Sequence, residues 1–232
     1  ALLTARAHVE TGFQIDHDLK EQLDGDGSTW IYREPDGETV AAFMEVLASR
    51  DAYRGMVLLD RWGVLNALVP EVTRLKLVEQ DKDHHPEGDA FLHTLHCLQY
   101  VKKPSPNLML ALLLHDTGKA VARSGEVDRP FPNHAEESRK IAAQVLSRFR
   151  VNGEDREEVL FLVSNHMILN RISSLQRSQR RGILSSPWFP DLLQLFRADI
   201  ESGFHRAAGY HYAARVYRAF LKEQRQYEGI AR

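Results

Sequence analysis

An imidazole and a carboxylate stand side by side at His115-Asp116, directly after the apolar run Leu108-Met109-Leu110-Ala111-Leu112-Leu113-Leu114, and Thr117-Gly118-Lys119 follow. Packing does not explain the pair, because an ionised carboxylate beside an apolar core is costly unless it is paired or bound to a cation. His93, His134, His166 and Asp199 also fall on or next to apolar helical stretches, so the six candidate ligands are spread over five expected helices. Imidazole and carboxylate donors together suit Mn, Fe, Co, Ni or Zn better than Ca. A metal centre of that kind hydrolyses phosphate esters. Taken singly, each residue has a plainer reading: a histidine at a helix end is usually capping or solvated, and Asp199 alone is an ordinary polar helix position. The set says more than its members.

The elements that position these residues are helical. Periodicity over 91–98 puts His93 and His96 three apart on one face, with His96 read as a supporting or packing residue. Lys103-Pro104-Ser105-Pro106 breaks the chain before the apolar helix that ends at His115-Asp116. After a loop over 120–132, Asn133-His134-Ala135-Glu136 reads as an N-cap with its reciprocal Glu, opening a helix to about 150 with Ile141, Val145, Leu146 and Phe149 inward. Asn152-Gly153 ends it, and a helix over 154–167, acidic in its first turn, closes at Asn165-His166. The stretch 167–186 holds Arg171, Arg177, Arg180 and Arg181 and no acid, and reads as a solvated linker or a guide for a phosphate backbone. A helix over 192–200 carries Asp199, and the tail over 211–227 is one more amphipathic helix.

Upstream, residues 1–23 read as helical with a stop at Gly12, and Asp16-His17-Asp18 as the start of a second helix rather than a metal pair. The stretch 24–37 reads as a loop with a short hairpin at Trp30-Ile31-Tyr32, followed by helices over 39–49 and 54–65 and an apolar segment over 72–78. The polar stretch 79–89, which contains His85, reads as a solvated turn. Strand signals are scarce, so the expected fold class is all-α.

Composition sets the outer limits. A chain of 232 residues with 43% hydrophobic and 27% charged residues is long enough for one large domain or a domain with a smaller subdomain. A net charge of -2 gives no global attraction to nucleic acid or membrane. One cysteine, Cys97, leaves no internal disulfide framework and fits a reducing compartment. No apolar run reaches the ~18 residues of a membrane span, and no basic-apolar-cleavage pattern opens the chain at Ala1. The expected localisation is cytoplasmic, with no membrane partner.

The pattern His93 … His115-Asp116 … Asp199, with His134 and His166 between, resembles the signature of the HD-domain metal-dependent phosphohydrolases in their binuclear form, and His115-Asp116-Thr117-Gly118-Lys119 matches that family's HD-x-GK element. A further resemblance covers almost the whole chain. Arg54-Gly55-Met56 through Leu65, Val69-Pro70-Glu71, His85-Pro86-Glu87-Gly88-Asp89 before His93-Thr94-Leu95, and Arg197-Ala198-Asp199 look like the C-terminal half of bacterial CCA-adding tRNA nucleotidyltransferases that carry an HD domain. Residues 1–16, with Arg6 and Gly12-Phe13-Gln14-Ile15-Asp16, look like that family's neck. The family's nucleotidyltransferase head, with its Gly-Ser motif and paired strand carboxylates, is absent from this sequence, and Glu154-Asp155-Arg156 lacks the spacing of its nucleotide-choosing element. The polypeptide is therefore not expected to add nucleotides by itself.

The resemblance implies an HD-domain helical bundle over 51–232, with a C-terminal helical extension, behind a small neck-like helical segment over 1–50. It implies that His93, His115, Asp116 and Asp199 hold one divalent transition metal and that His134 and His166 hold a second, with Asp116 bridging. Mn, Fe, Co and Ni come first, and Mg and Zn are also compatible. Asp116 is also the expected catalytic residue that orients the nucleophile, and Lys119 the expected catalytic cation that neutralises phosphate charge; the plainer reading of Lys119 is a solvated helix-end lysine. The implied substrates are nucleotides or RNA 3′ ends, such as 2′,3′-cyclic phosphates. The competing reading is an RNA-binding module: the tRNA-binding portion of a CCA-adding enzyme without its catalytic head.

Overall fold

A computed structural model of the chain describes residues 1–12, 14–15, 18, 21, 23, 34–79, 88–122, 131–203 and 208–230. In chain order its helices are α1 (Leu2–Thr11), α2 (Gly37–Leu47), α3 (Ala52–Arg61), α4 (Val64–Leu68), α5 (Pro70–Thr73) and α6 (Ala90–Cys97). They continue with α7 (Pro106–Leu114), α8 (His134–Arg148), α9 (Gly153–Asn165), α10 (Arg177–Leu184), α11 (Phe189–Ser202) and α12 (Ala208–Ile230). Short 3-10 turns follow α5, α6, α7 and α9. Among the described residues there is no strand, only an isolated antiparallel bridge between Glu79 and Asp89, so the class is all-α as expected.

Local chemistry starts these helices where the sequence places its caps. The Ser105 hydroxyl accepts from Leu108 N at 3.3 Å and Pro106 takes the first turn of α7, where a missing N–H costs nothing. The Asp89 carboxylate accepts from Leu92 N at 2.7 Å at the start of α6, and Asp36 accepts from Thr39 N at 2.8 Å at the start of α2. Gly63, at φ 72°, ends the α3 segment and begins α4, a left-handed position that glycine occupies at little cost.

Helix α7 is the axis of the bundle. Every residue from Leu108 to Leu114 is buried, as a helix apolar on all faces must be. Helices α2, α6, α8, α9 and α11 pack around it. Each fully buried leucine contributes about 1.5–3 kcal/mol relative to exposure, so α7 is held by packing and its end is a fixed platform. The outer layers are tied in by specific contacts. Phe43 of α2 meets Phe149 edge-on with centroids 5.7 Å apart. Arg148, in the last turn of α8, pairs with both Glu71 oxygens at 3.0 and 2.8 Å and donates to Leu68 O at 3.1 Å.

Several expectations change. Asn133 does not cap α8 with its side chain: it sits at φ 60°, a left-handed conformation that Asn tolerates, and its carbonyl accepts from Glu136 and Glu137 N–H instead. The 167–186 stretch is not a plain linker. It holds a 3-10 turn and α10, which opens with a reciprocal Gln176–Gln179 capping box. The segment over 72–78 is a helical turn running into 3-10 structure, and the tail helix is longer than periodicity indicates. His96 packs on Tyr53 with ring centroids 5.4 Å apart. The helix start at Asp16, the hairpin at Trp30-Ile31-Tyr32 and His85 lie outside the described residues.

Candidate metal centre

Five helices deliver the six candidate ligands to one place. His93 comes from the middle of α6, His115 and Asp116 from the end of α7, His134 from the first residue of α8, His166 from the end of α9 and Asp199 from α11. The positions are not arbitrary, because a helix end carries backbone carbonyls with no partner inside the helix. His115 Nδ1 lies 2.7 Å from Leu112 O, and His166 Nδ1 lies 2.8 Å from Val163 O. His134 Nδ1 lies 3.0 Å from Phe131 O. A carbonyl can only accept, so each Nδ1 carries the proton and each Nε2 presents a lone pair. His93 follows the same rule: the Ser202 hydroxyl donates to Asp199 O at 2.8 Å and so accepts from His93 Nδ1 at 3.2 Å. Fixing the tautomer through the far nitrogen is how proteins aim histidines at metals.

The four Nε2 atoms and the two carboxylates converge. His93 Nε2 lies 3.0 Å from Asp199 Oδ1, and His115 Nε2 lies 3.9 Å from the same oxygen. His134 Nε2 and His166 Nε2 face each other at 3.1 Å. Asp116 spans the two groups: Oδ1 lies 3.5 Å from His134 and 3.7 Å from His166, while Oδ2 lies 3.3 Å from His115 and 3.9 Å from His93. Lys119 Nζ sits 2.7 Å from Asp116 Oδ2. Lys119 is buried, so the solvated-lysine reading does not hold, and its ammonium pairs with the Asp116 carboxylate.

Burial pushes the Asp116 carboxyl up, but His115, Lys119 and His134 outweigh it and hold the group well below the usual carboxylate range. Burial likewise raises Asp199, and in the metal-free chain a proton taken up on His93 Nε2, which then donates to Oδ1, together with the charge of His115, turns the balance downward. His166 is pushed down to about 3, first by burial and then by His115. A neutral His166 and two ionised carboxylates are the forms that bind metal.

These residues fit divalent metal. Donors held 2.0–2.3 Å from one ion at 90–110° lie about 2.8–3.8 Å apart, and most of the spacings above fall in or just beyond that range. The buried His115 Nε2 has no hydrogen-bond partner, and the lone pairs of His134 and His166 point at each other. A set of acceptors arranged in this way is stabilised by cations. Two donor groups stand out: His93, Cys97, His115 and Asp199, and beside them Asp116, His134 and His166.

Sequence reasoning missed two neighbours of the cluster. Cys97 Sγ lies 3.6 Å from His93 Nε2 and 3.1 Å from Ser202 Oγ. Both were accessible from spacing, since Cys97 is one helical turn after His93 and Ser202 three residues after Asp199. Gly118 is the third finding. A Cβ there would overlap the His134 backbone carbonyl and lie 2.5 Å from Ser138 N, and Gly118 N donates to Ser138 Oγ at 2.8 Å. The glycine lets the turn after Asp116 press against the start of α8, which brings His134 beside Asp116.

A model of the HD domain matches residues 84–199, half of the chain and the whole ligand set. The A-adding tRNA nucleotidyltransferase of Deinococcus radiodurans is 32% identical over 168 residues, covering 68% of this chain and 37% of that protein. The Multifunctional CCA protein of Acinetobacter baumannii is 35% identical over 158 residues, covering 65% of this chain and 37% of its own. The protein of the same name from Alcanivorax borkumensis is 35% identical over 161 residues, covering 66% and 38%. The match thus spans less than two fifths of the length of these relatives.

Proposed function

The chain belongs to the HD domain family, and from that premise we propose that it is a metal-dependent phosphohydrolase acting on nucleotides or RNA 3′ ends, 2′,3′-cyclic phosphates among them. The observation that carries the reading is the convergence of four Nε2 lone pairs on Asp116 and Asp199. His93, His115 and Asp199, with Cys97 alongside, would hold one ion and His134 and His166 the other, and Asp116 turns a separate oxygen towards each donor group. Bound divalent metal supplies a Lewis acid for a phosphoryl oxygen and hydroxide at neutral pH. The protein's own part is to fix the geometry. The backbone carbonyls of Leu112, Phe131 and Val163 hold the Nδ1 protons of His115, His134 and His166 and leave their Nε2 lone pairs to bind. Asp116 stays ionised and aims one oxygen at each group. Lys119 holds Asp116 in place and adds positive charge where a phosphoryl group gathers negative charge. The buried setting excludes water and strengthens each of these interactions.

The test combines metal analysis with a hydrolysis panel over 2′,3′-cyclic nucleotides, 2′- and 3′-nucleotides and dNTPs. His115→Ala and Asp116→Ala are expected to lose both metal and hydrolysis, and full activity in both variants would defeat the assignment. In a two-ion centre His134→Ala and His166→Ala lose about half the metal.

A second reading, an RNA-binding role on tRNA, is favoured by the names of the relatives and by one surface. Arg177, Arg180 and Arg181 of α10 face Val216 and Phe220 of α12 across a cleft of ≈ 560 Å³. Binding of tRNA that falls steeply with salt would support it, since phosphate contacts release counterions. Undetectable or salt-insensitive binding would count against it.

A further inference from the structure

A second cavity of ≈ 560 Å³ adjoins the metal centre, lined by Phe131, Pro132, Asn133 and His134 on one side and by Met167, Asn170 and Arg171 on the other. Its contact with the cluster runs through His134. The side chains of His93, His115 and His166 are at most 1% exposed, whereas that of His134 is 12% exposed, so the second donor group opens towards this cavity. The lining has three distinct parts. Phe131 and Met167 form an apolar wall; Met167 is 41% exposed, with its Sδ accepting from Asn170 Nδ2 at 3.8 Å. The Asn133 and Asn170 side chains put amide donors and acceptors at the rim. Arg171 is exposed, and its guanidinium has no hydrogen bond or ion pair among the described residues. Among the described residues no carboxylate lines the cavity.

We infer that this cavity binds the nucleoside part of the substrate, with the base against Phe131 and Met167 and a phosphate oxygen on Arg171. The inference rests on the phosphohydrolase reading and adds which residues hold the base of its substrate. A flat, apolar-faced group with hydrogen-bonding edges suits an aromatic and thioether wall flanked by amides. Such stacking tolerates any base, because every base has a π-face. A guanidinium without a carboxylate partner is suited to paired hydrogen bonds with phosphate. The volume lies within the range of small-ligand pockets. Both a mononucleotide and the terminal nucleotide of an RNA supply this chemistry, and they differ only in the phosphodiester leading upstream.

The test is equilibrium binding by calorimetry to metal-loaded wild type, Met167→Ala and Arg171→Gln. The probes are inorganic phosphate, 3′-nucleoside monophosphates and an oligoribonucleotide with a 3′-phosphate, with metal content and thermal midpoint measured alongside. Arg171→Gln is expected to weaken all three probes about 10- to 100-fold, the size of a lost charge-assisted hydrogen bond. Met167→Ala is expected to weaken the two base-bearing probes several-fold more than inorganic phosphate. Tighter binding of the oligoribonucleotide than of the monophosphates assigns the pocket to RNA ends, and equal binding assigns it to mononucleotides. The inference is overturned when neither variant changes nucleotide affinity, or when Met167→Ala weakens phosphate and nucleotide equally. Hydrolysis separates the two readings. A wild type that cleaves glycerol 2-phosphate as efficiently as nucleotides keeps the hydrolase and loses the pocket. One that binds nucleotides through Met167 and Arg171 but cleaves no ester keeps the pocket and loses the hydrolase.

Discussion

His166 shows what the cluster demands of a single side chain. Burial, then His115 and His134, push it to about 3 from its ordinary 6.5. Between those values the unfolded chain takes up a proton that the folded chain refuses. The stability that neutral His166 contributes is therefore complete above about 6.5 and is lost as pH falls towards 3. Asp116 and Asp199 are held below their ordinary 3.8, so their contribution is present above that value and is lost only below it. Urea unfolding of metal-free protein is expected to show stability falling steadily from about pH 7 to about pH 4; a flat profile would contradict the placement of His166. Gly118 gives a second prediction at this scale. Gly118→Ala forces the turn away from His134 and Ser138, and overpacking of this kind costs about 1–3 kcal/mol. Metal content is expected to fall together with the urea midpoint, and a variant with normal metal content would show that the close approach does not set the site. All six candidate ligands were legible in the sequence because imidazole and carboxylate side chains are conspicuous among apolar residues. Cys97 and Ser202 carried only a spacing signal, one helical turn from His93 and Asp199, and a small polar residue draws less notice there than an imidazole or carboxylate.

At the scale of elements, α7 converts packing into placement. Its buried length fixes the end from which His115 and Asp116 emerge, and α6, α8, α9 and α11 bring the other ligands against it. The far end of α8 is fixed by Arg148 on Glu71, well away from the cluster. Removing one partner of a buried pair costs about 3–5 kcal/mol. Arg148 is 27% exposed, so Glu71→Ala is expected to cost less, about 2–3 kcal/mol, with metal content per folded chain unchanged. Urea midpoints and metal analysis check both halves. Metal loss in step with stability would mean that the α8 anchor, not α7, positions the ligands. The helices that carry the site were legible because their apolar periodicity is strong and their starts at Asp89 and Ser105 follow capping rules. Helix α10 was not, since it is short and arginine-rich, with only Ile183 and Leu184 apolar and packed inward, which leaves little apolar pattern to read. The expected cap at Asn133 failed because residue type alone does not fix φ, and a left-handed Asn turns its side chain away from the helix start.

Over the whole molecule, the ligands come from residues 93 to 199, so the site exists only when the bundle is assembled. No helix of the described residues is long and apolar enough to cross a membrane. Metal that binds the folded chain and not the unfolded one shifts the folding equilibrium by mass action. Chelator-treated protein is therefore expected to melt at a lower temperature than protein with added Mn, Co or Ni, and to regain the higher midpoint when metal is returned. The all-α class and the family were legible from pattern and motif, while the nucleoside-sized cavity beside His134 was not, because Phe131 and Met167 are brought together only by the packing of α8 against α9. The most direct test of the central claim is to strip the protein with chelator and follow hydrolysis of a 2′,3′-cyclic nucleotide during titration with Mn, Co or Ni. Activity is expected to be absent at the start and to rise with bound metal to a break near two equivalents per chain. Full activity in the stripped protein, or metal binding at the cluster with no hydrolysis of any nucleotide, would contradict it.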